Sequence, residues 1–403
     1  MLFAPFFNPL LAQFVSKLRE PRTNVLLGSV LILLIVAFIV GRALRRQPES
    51  TISLAAIRTF NLRVLAWWMM YAILIAGFML GYAATVVLFG LVSFWALREF
   101  ITMTPTRRGD HRTLFWTFFL FTPLQFVLVG LGRSFYNSYT IMIPVYASLI
   151  IPARIAISGD PKRFLERIAK IQAGLLICVY ALSHAPALLD LQLKNDQGLW
   201  GRPAFTQPLA KEARAVPAVP APAAEQPAAT KADGKLPVAE KPPAAQEQPA
   251  APPKVVAAPP VAPVPARSGS NEGLLFYFVL IVQLNDLFQY AWGNLLGKHV
   301  IAPQINASRT WEGFLGGVLS TALVGTLLCW ATPFQAWEAA CISVAVAVMG
   351  FAGSMTMSGI KRDRGVKDYG TLVSGHAGVL DRIDSLCFAA PVFFHITRYF
   401  FSA

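Results

Sequence analysis

Apolar runs long enough to cross a bilayer recur along this chain, and they constrain its fold more than any other feature. A bilayer core about 30 Å thick needs about 20 apolar residues in a helix. Hydrocarbon also admits only segments whose backbone hydrogen bonds close internally. About ten segments meet this condition, at 24–41, 64–80, 83–97, 113–130, 138–157, 168–189, 273–292, 312–332, 337–357 and 383–401. The expected fold is therefore an all-α polytopic transmembrane bundle. The second and third segments are nearly continuous, with Gly81 and Tyr82 placed to form the turn between them. Met1 to Gln13 is apolar but short and lacks a basic flank, so no cleavable signal peptide is expected.

A composition of 55% hydrophobic and 14% charged residues excludes an ordinary soluble domain of 403 residues. The net charge of +14 has a simpler source than nucleic acid, because the cations sit between spans and no basic helix or aromatic platform accompanies them. Twenty Lys and Arg fall in the loops after spans 1, 3, 5, 7 and 9, whereas the short loops on the other side carry only Arg133. This bias places the odd-numbered loops in the cytoplasm. Cys178, Cys329, Cys341 and Cys387 lie singly in apolar runs and read as small buried hydrophobes.

Residues 191–270 break the pattern. Sixteen of the 29 prolines fall between Pro203 and Pro265, among Ala, Val, Glu and Lys. Such a segment cannot bury enough apolar area to offset its ordering entropy. A disordered Pro/Ala-rich extracytoplasmic linker is expected there, dividing an N-terminal region of about six spans (1–190) from a C-terminal region of about four (271–403).

The chemistry concentrates after the ninth span, in Ser358-Gly-Ile-Lys361-Arg362-Asp-Arg-Gly-Val-Lys367-Asp368 and Ser374-Gly375-His376-Ala377-Gly378-Val-Leu-Asp381-Arg382-Ile-Asp384. Five cations and four carboxylates lie between Lys361 and Asp384. Carboxylate oxygens suit Mg²⁺, which keeps substrate phosphates in its shell. Lys and Arg would hold the remaining phosphate charge, and glycines let backbone amides approach it. A positive-inside loop would explain the cations but not Asp368, Asp381 and Asp384.

This segment resembles the signature of the phosphatidate cytidylyltransferases (CDP-diacylglycerol synthases), matching at Ser358, Lys361, Arg362, Lys367, Asp368, His376, Gly378, Asp381, Arg382 and Asp384. Upstream, Asn285-Asp286, Gly297-Lys298 and Ser308-Arg309-Thr-Trp-Glu312-Gly are similar to further elements of that family. Residues around Arg98-Glu99-Phe and 104–111 resemble a bacterial subgroup. Three positions depart from the signature: Val373, Ser374 and Ala377, the last standing where the family has Gly. Gly353-Ser354 also replaces a Gly-Asp pair of many bacterial members.

The resemblance implies transfer of a cytidylyl group from CTP to phosphatidate in a bacterial inner membrane. Its metal ligands would be Asp286, Asp368 and Asp381, with Asp384 either a fourth ligand or just outside the ligand set, holding Mg²⁺ alone, with a second metal or with K⁺. Lys361 and His376 would join Asp368 and Asp381 in catalysis, His376 either as proton donor or as a structural hydrogen bond. Ser358, Arg362, Lys367, Lys298, Arg309, Arg382, Gly375 and Gly378 would bind substrate. Family members often dimerise, which makes a homodimer an expectation. Other readings are a cytidylyltransferase for another lipid phosphate, a catalytically weakened scaffold, or a transporter. Glu312 reads equally as a helix cap or a site residue. His184 reads as a local kink contact and His395 as interfacial. Gly350, Ser354 and Ser358, four apart, read first as a helix-packing stripe.

Overall fold

The computed structural model describes residues 21–44, 54–103, 107–193, 271–366 and 378–402. Within them all ten expected segments fold as helices: α1 Pro21–Leu44, α2 Leu54–Leu80, α3 Tyr82–Thr102, α4 His111–Gly130, α5 Arg133–Ala156, α6 Phe164–Asp190, α7 Asn271–Leu296, α8 Trp311–Leu327, α9 Ala336–Asp363 and α10 Leu380–Phe401. Seven of these are long and apolar enough to cross a membrane, the exceptions among the described residues being α2, α8 and α10. The all-α expectation needs one correction: β1 Val300–Ala302 and β2 Asn306–Thr310 form an antiparallel hairpin between α7 and α8. The linker and its expected disorder lie outside the described residues.

Local chemistry explains the breaks between helices. Gly81 takes φ 92°, open to glycine at little cost, and turns α2 into α3 as expected. Thr310 caps α8 by accepting from the Gly313 amide at 3.1 Å. Gln335 and Glu338 form a capping box at the start of α9. Helices α4, α5 and α6 each contain a π-helical stretch, at Thr117–Phe121, Met142–Ala147 and Leu175–Ala181. Side-chain hydroxyls take up some of the carbonyls there: Thr122 donates to Thr117 O at 2.8 Å and Ser148 to Ile143 O at 3.0 Å.

The described helices before and after the linker pack into one compact unit. Helix α8 shows how it is built. Leu315, Leu319, Leu323 and Leu327 recur every four residues and are 56–70% exposed, a stripe suited to hydrocarbon. The opposite face carries Gly313, Gly317, Thr321 and Gly325, all buried. A Cβ on Gly317 would lie 2.3 Å from Gln289 Cγ of α7, and one on Gly325 would lie 1.9 Å from Ser343 Oγ of α9. Small residues therefore set the α7–α8–α9 spacing, and aromatics fill the opposite flank, where Phe278 stacks on Phe393 at 4.9 Å.

Polar contacts gather at the two ends of the bundle. At one end Arg107 donates to Asp160 at 2.9 Å, Arg167 to Asp110 at 2.8 Å and Arg364 to Glu166 at 3.4 Å. These join α6, the loops that precede α4 and α6, and the end of α9. At the other end Asn271 donates to Leu189 O at 2.9 Å, and Leu193 bridges to Ser402. The chain thus leaves for the linker and returns from it at the same end. His184 is buried there and bonds its own helix at Tyr180 O, 2.8 Å away; His395 meets Tyr136 Oη at 3.3 Å. Two sequence expectations change. Cys341 and Cys329 are not buried, although Cys178 and Cys387 are. Gly353, not Gly350, makes the close α9–α10 approach, since its Cβ would lie 2.9 Å from Asp384 O.

If α8 packs through its glycines, Gly317→Leu should cost about 1–3 kcal/mol of stability, read as a lowered unfolding midpoint in detergent. Gly28→Leu, which meets nothing within 4 Å, should stay within about 0.5 kcal/mol of wild type. Equal midpoints for the two variants would contradict the packing account.

Candidate active site

Helices α7, α9 and α10 and the hairpin converge on a set of acids and cations. Asp286 stands on α7 one residue after Asn285, and the two have separate jobs. Asn285 is fully buried: its amide donates to Ala347 O of α9 at 3.1 Å, and its Oδ1 accepts from Gln289 at 3.0 Å and Thr321 of α8 at 3.4 Å. Asn285 therefore fastens three helices together. Asp286 faces α10, where Ser385 Oγ donates to its Oδ2 at 2.7 Å. The Ser385 amide also donates to Asp384 Oδ1 at 2.7 Å. One serine thus stands between two carboxylates from different helices.

Cations surround this pair. Arg309, carried by β2, reaches Gln289 Oε1 at 2.7 Å, Ser354 Oγ at 2.7 Å and Asp286 Oδ1 at 3.4 Å. Lys361, in the last turn of α9, donates to Asp381 Oδ1 at 2.7 Å, and both side chains are largely buried, at 15% and 8% exposed. Ser354 and Ser358 thus do more than pack: Ser354 anchors Arg309, and Ser358 accepts from Asn306 of the hairpin at 3.2 Å. Arg362 is exposed and donates to Ile305 O at 3.1 Å. Lys298 is exposed, and its amide and that of His299 donate to Glu312 at 3.1 and 3.2 Å. Glu312 therefore pins the hairpin at its base. Gly378 is buried at the start of the final segment.

Lys367, Asp368, Gly375 and His376, with the departures at Val373, Ser374 and Ala377, lie outside the described residues. Of the four expected metal ligands, Asp286 and Asp384 come together at Ser385, and Asp381 stands a turn earlier on α10 beside Lys361. Among the described residues no three carboxylate, histidine or cysteine side chains converge as a metal site. The donor chemistry still fits Mg²⁺, a hard cation usually held by one or two carboxylates with substrate phosphates completing its shell.

Arg382 faces elsewhere. With Met70, Leu74, Trp95, Ile383 and Leu386 it lines an apolar groove of about 270 Å³ between α2, α3 and α10. A cation at the edge of an apolar groove suits an amphiphile with an anionic head.

Sequence reasoning missed Ser385, Gln289 and Glu99. Gln289 was legible as the i+4 neighbour of Asn285, and Ser385 as the hydroxyl beside Asp384. Glu99 was visible only within the Arg98-Glu99-Phe resemblance, which says nothing of its partner.

The model of the cytidylyltransferase family matches residues 61–400. The chain is 29% identical over 381 residues to uncharacterized protein YnbB of Escherichia coli (strain K12), covering 93% of this chain and 97% of that protein. It is 36% identical over 120 residues to a phosphatidate cytidylyltransferase of Staphylococcus haemolyticus and 38% identical over 128 residues to one of Staphylococcus saprophyticus. Those matches cover 29% and 31% of this chain, and 46% and 49% of the two relatives.

Removing one partner of a buried ion pair leaves the other's charge less well compensated. Lys361→Met should therefore cost about 1–3 kcal/mol, and adding Asp381→Asn should recover part of that loss. A double-mutant cycle in detergent measures this coupling. Additive effects would show that the pair does not interact.

Proposed function

The chain belongs to the cytidylyltransferase family, and from that premise we propose that it transfers the cytidylyl group of CTP to phosphatidate, giving CDP-diacylglycerol and pyrophosphate. The observation that carries this reading is the Asp286–Ser385–Asp384 arrangement, flanked by Arg309 and Lys361, together with an apolar groove lined in part by Arg382.

In the proposed reaction a phosphate oxygen of the lipid attacks the α-phosphorus of CTP. The bond from that phosphorus to the β-phosphate bridging oxygen breaks, and pyrophosphate leaves with the electron pair. The lipid phosphate is already the nucleophile, so the protein's work is positioning and charge neutralisation. Asp286 and Asp384 would hold Mg²⁺, with Asp381 and Asp368 adding carboxylate charge nearby. When bound, that ion supplies Lewis-acid neutralisation of triphosphate charge. Lys361 and Arg309, already paired with these acids, would share them with the triphosphate, and Lys298, Arg362 and Lys367 would add cationic charge at the same end. Arg382 would hold the lipid phosphate while its chains stay in the groove and the bilayer. The excess of Lys and Arg in the loops at this end supports a cytoplasmic site in an inner membrane, with the linker outside.

A second acceptor is also supported. The named phosphatidate cytidylyltransferases match about 30% of the chain, whereas the Escherichia coli relative matches nearly all of it. The whole-chain subgroup would then act on a different lipid phosphate.

Purified protein in vesicles with Mg²⁺ and labelled CTP, offered phosphatidate, lysophosphatidate or a polyprenyl phosphate, separates these readings. We expect CDP-diacylglycerol and equimolar pyrophosphate with phosphatidate, and a loss of about 100-fold or more in Asp381→Asn. Product with only another lipid phosphate would establish the second acceptor. Failure to consume CTP with any of them would overturn the function.

A further inference from the structure

Glu99 lies in the last turn of α3, in the N-terminal half of the chain, and is 6% exposed. Its Oε1 accepts from the Val379 amide at 3.1 Å and its Oε2 from the Leu380 amide at 2.9 Å. These are the amides of the capping residue and of the first residue of α10, the helix that carries Asp381, Asp384 and Ser385. Helix-start amides have no partner within their own helix, and no side-chain cap forms at Val379. Gly378, Val379 and Leu380 offer no side-chain acceptor. A carboxylate from a residue 280 positions earlier in the chain supplies the cap instead.

From this geometry we infer that Glu99 is a positioning residue for the active site, an N-cap supplied by another helix that fixes where the acids of α10 stand. Three physical points carry the inference. A buried carboxylate is costly unless its oxygens are satisfied, so Glu99 holds its place by holding those two amides. Bonds to an ionised acceptor are about twice as strong as neutral ones, and an anion at a helix start is favoured by the helix dipole. The capped amides immediately precede Asp381, so a one-residue slip of α10 would rotate its side chains by about 100°. That slip would part Asp384 and Ser385 from Asp286. The Gly353 approach sets how closely α10 lies on α9; Glu99 sets its axial and rotational position. The site is therefore incomplete without the N-terminal helices.

The kinetic part of this inference rests on the proposed reaction; the structural part does not. In Glu99→Gln one acceptor oxygen remains, and an NH₂ group faces the second amide. In phosphatidate vesicles this variant should lose about 10–100-fold in kcat/KM and need at least about threefold more Mg²⁺ for half-maximal turnover, while its unfolding midpoint stays within a few degrees of wild type. An ordinary cap would change stability and leave the Mg²⁺ requirement alone, so an unchanged requirement overturns the positioning role. Hydrogen exchange of the wild-type protein reads the cap without any activity. Val379 and Leu380 should exchange slowly despite standing at a helix start, and faster in Glu99→Gln. Free exchange in wild type would overturn the cap, whereas slow exchange in a protein that consumes no CTP would leave the cap standing and remove only the reaction.

Discussion

Carboxylates inside a bundle of apolar helices dictate what surrounds them. An unpaired acid there costs several kcal/mol, so every one must be answered by a hydroxyl, a cation or a helix amide. Ser385 answers Asp286 and Asp384, Lys361 answers Asp381, Arg309 bridges Asp286 to Ser354, and two amides of α10 answer Glu99. Except for Asp384, whose partner is the next residue of its own helix, each answer comes from a different element. The acids therefore tie together α3, α7, α9, α10 and the hairpin at one end of the molecule. The same end carries the Arg107–Asp160, Arg167–Asp110 and Arg364–Glu166 pairs.

Close approach makes these polar contacts possible. Arg309 spans from the hairpin to α7 and α9, and the glycines of α8 let that helix lie close against α7 at Gln289, one of the residues Arg309 meets. Gly353 lets α10 lie against α9 at Asp384. Small residues substitute here for the hydrophobic drive that water would supply to a soluble core, since lipid tails are as apolar as the side chains they meet. The leucine stripe on the outer face of α8 is the counterpart of that arrangement, apolar toward lipid and small toward protein.

The helices were legible because apolar length is a physical requirement that the sequence displays directly, and Gly81 marked a turn that only its backbone freedom explains. Lys361, Asp381 and Asp384 were legible as part of the acid and cation cluster after the ninth span, Asp286 and Arg309 through the family resemblance, and the structure gathers them at one end. The hairpin escaped notice because three- and five-residue strands leave no periodic signal. Contacts between distant residues were not legible at all: nothing near Glu99 or Glu166 announces partners 280 and 198 positions away. Ser354 looked like packing because spacing reveals which face a residue occupies but not what its hydroxyl meets. The linker, Asp368 and His376 fall outside the described residues, so those readings stand on sequence alone.

The central claim is that the acids where α7 meets α10 gather a divalent cation together with CTP. Anomalous diffraction from crystals of the full chain grown with Mn²⁺ and CTP tests it most directly. A manganese peak is expected within about 2.3 Å of carboxylate oxygens of Asp286 and Asp384, and it should be lost in Asp286→Asn. A manganese peak seated elsewhere with CTP bound, or one that survives Asp286→Asn unchanged, would contradict it.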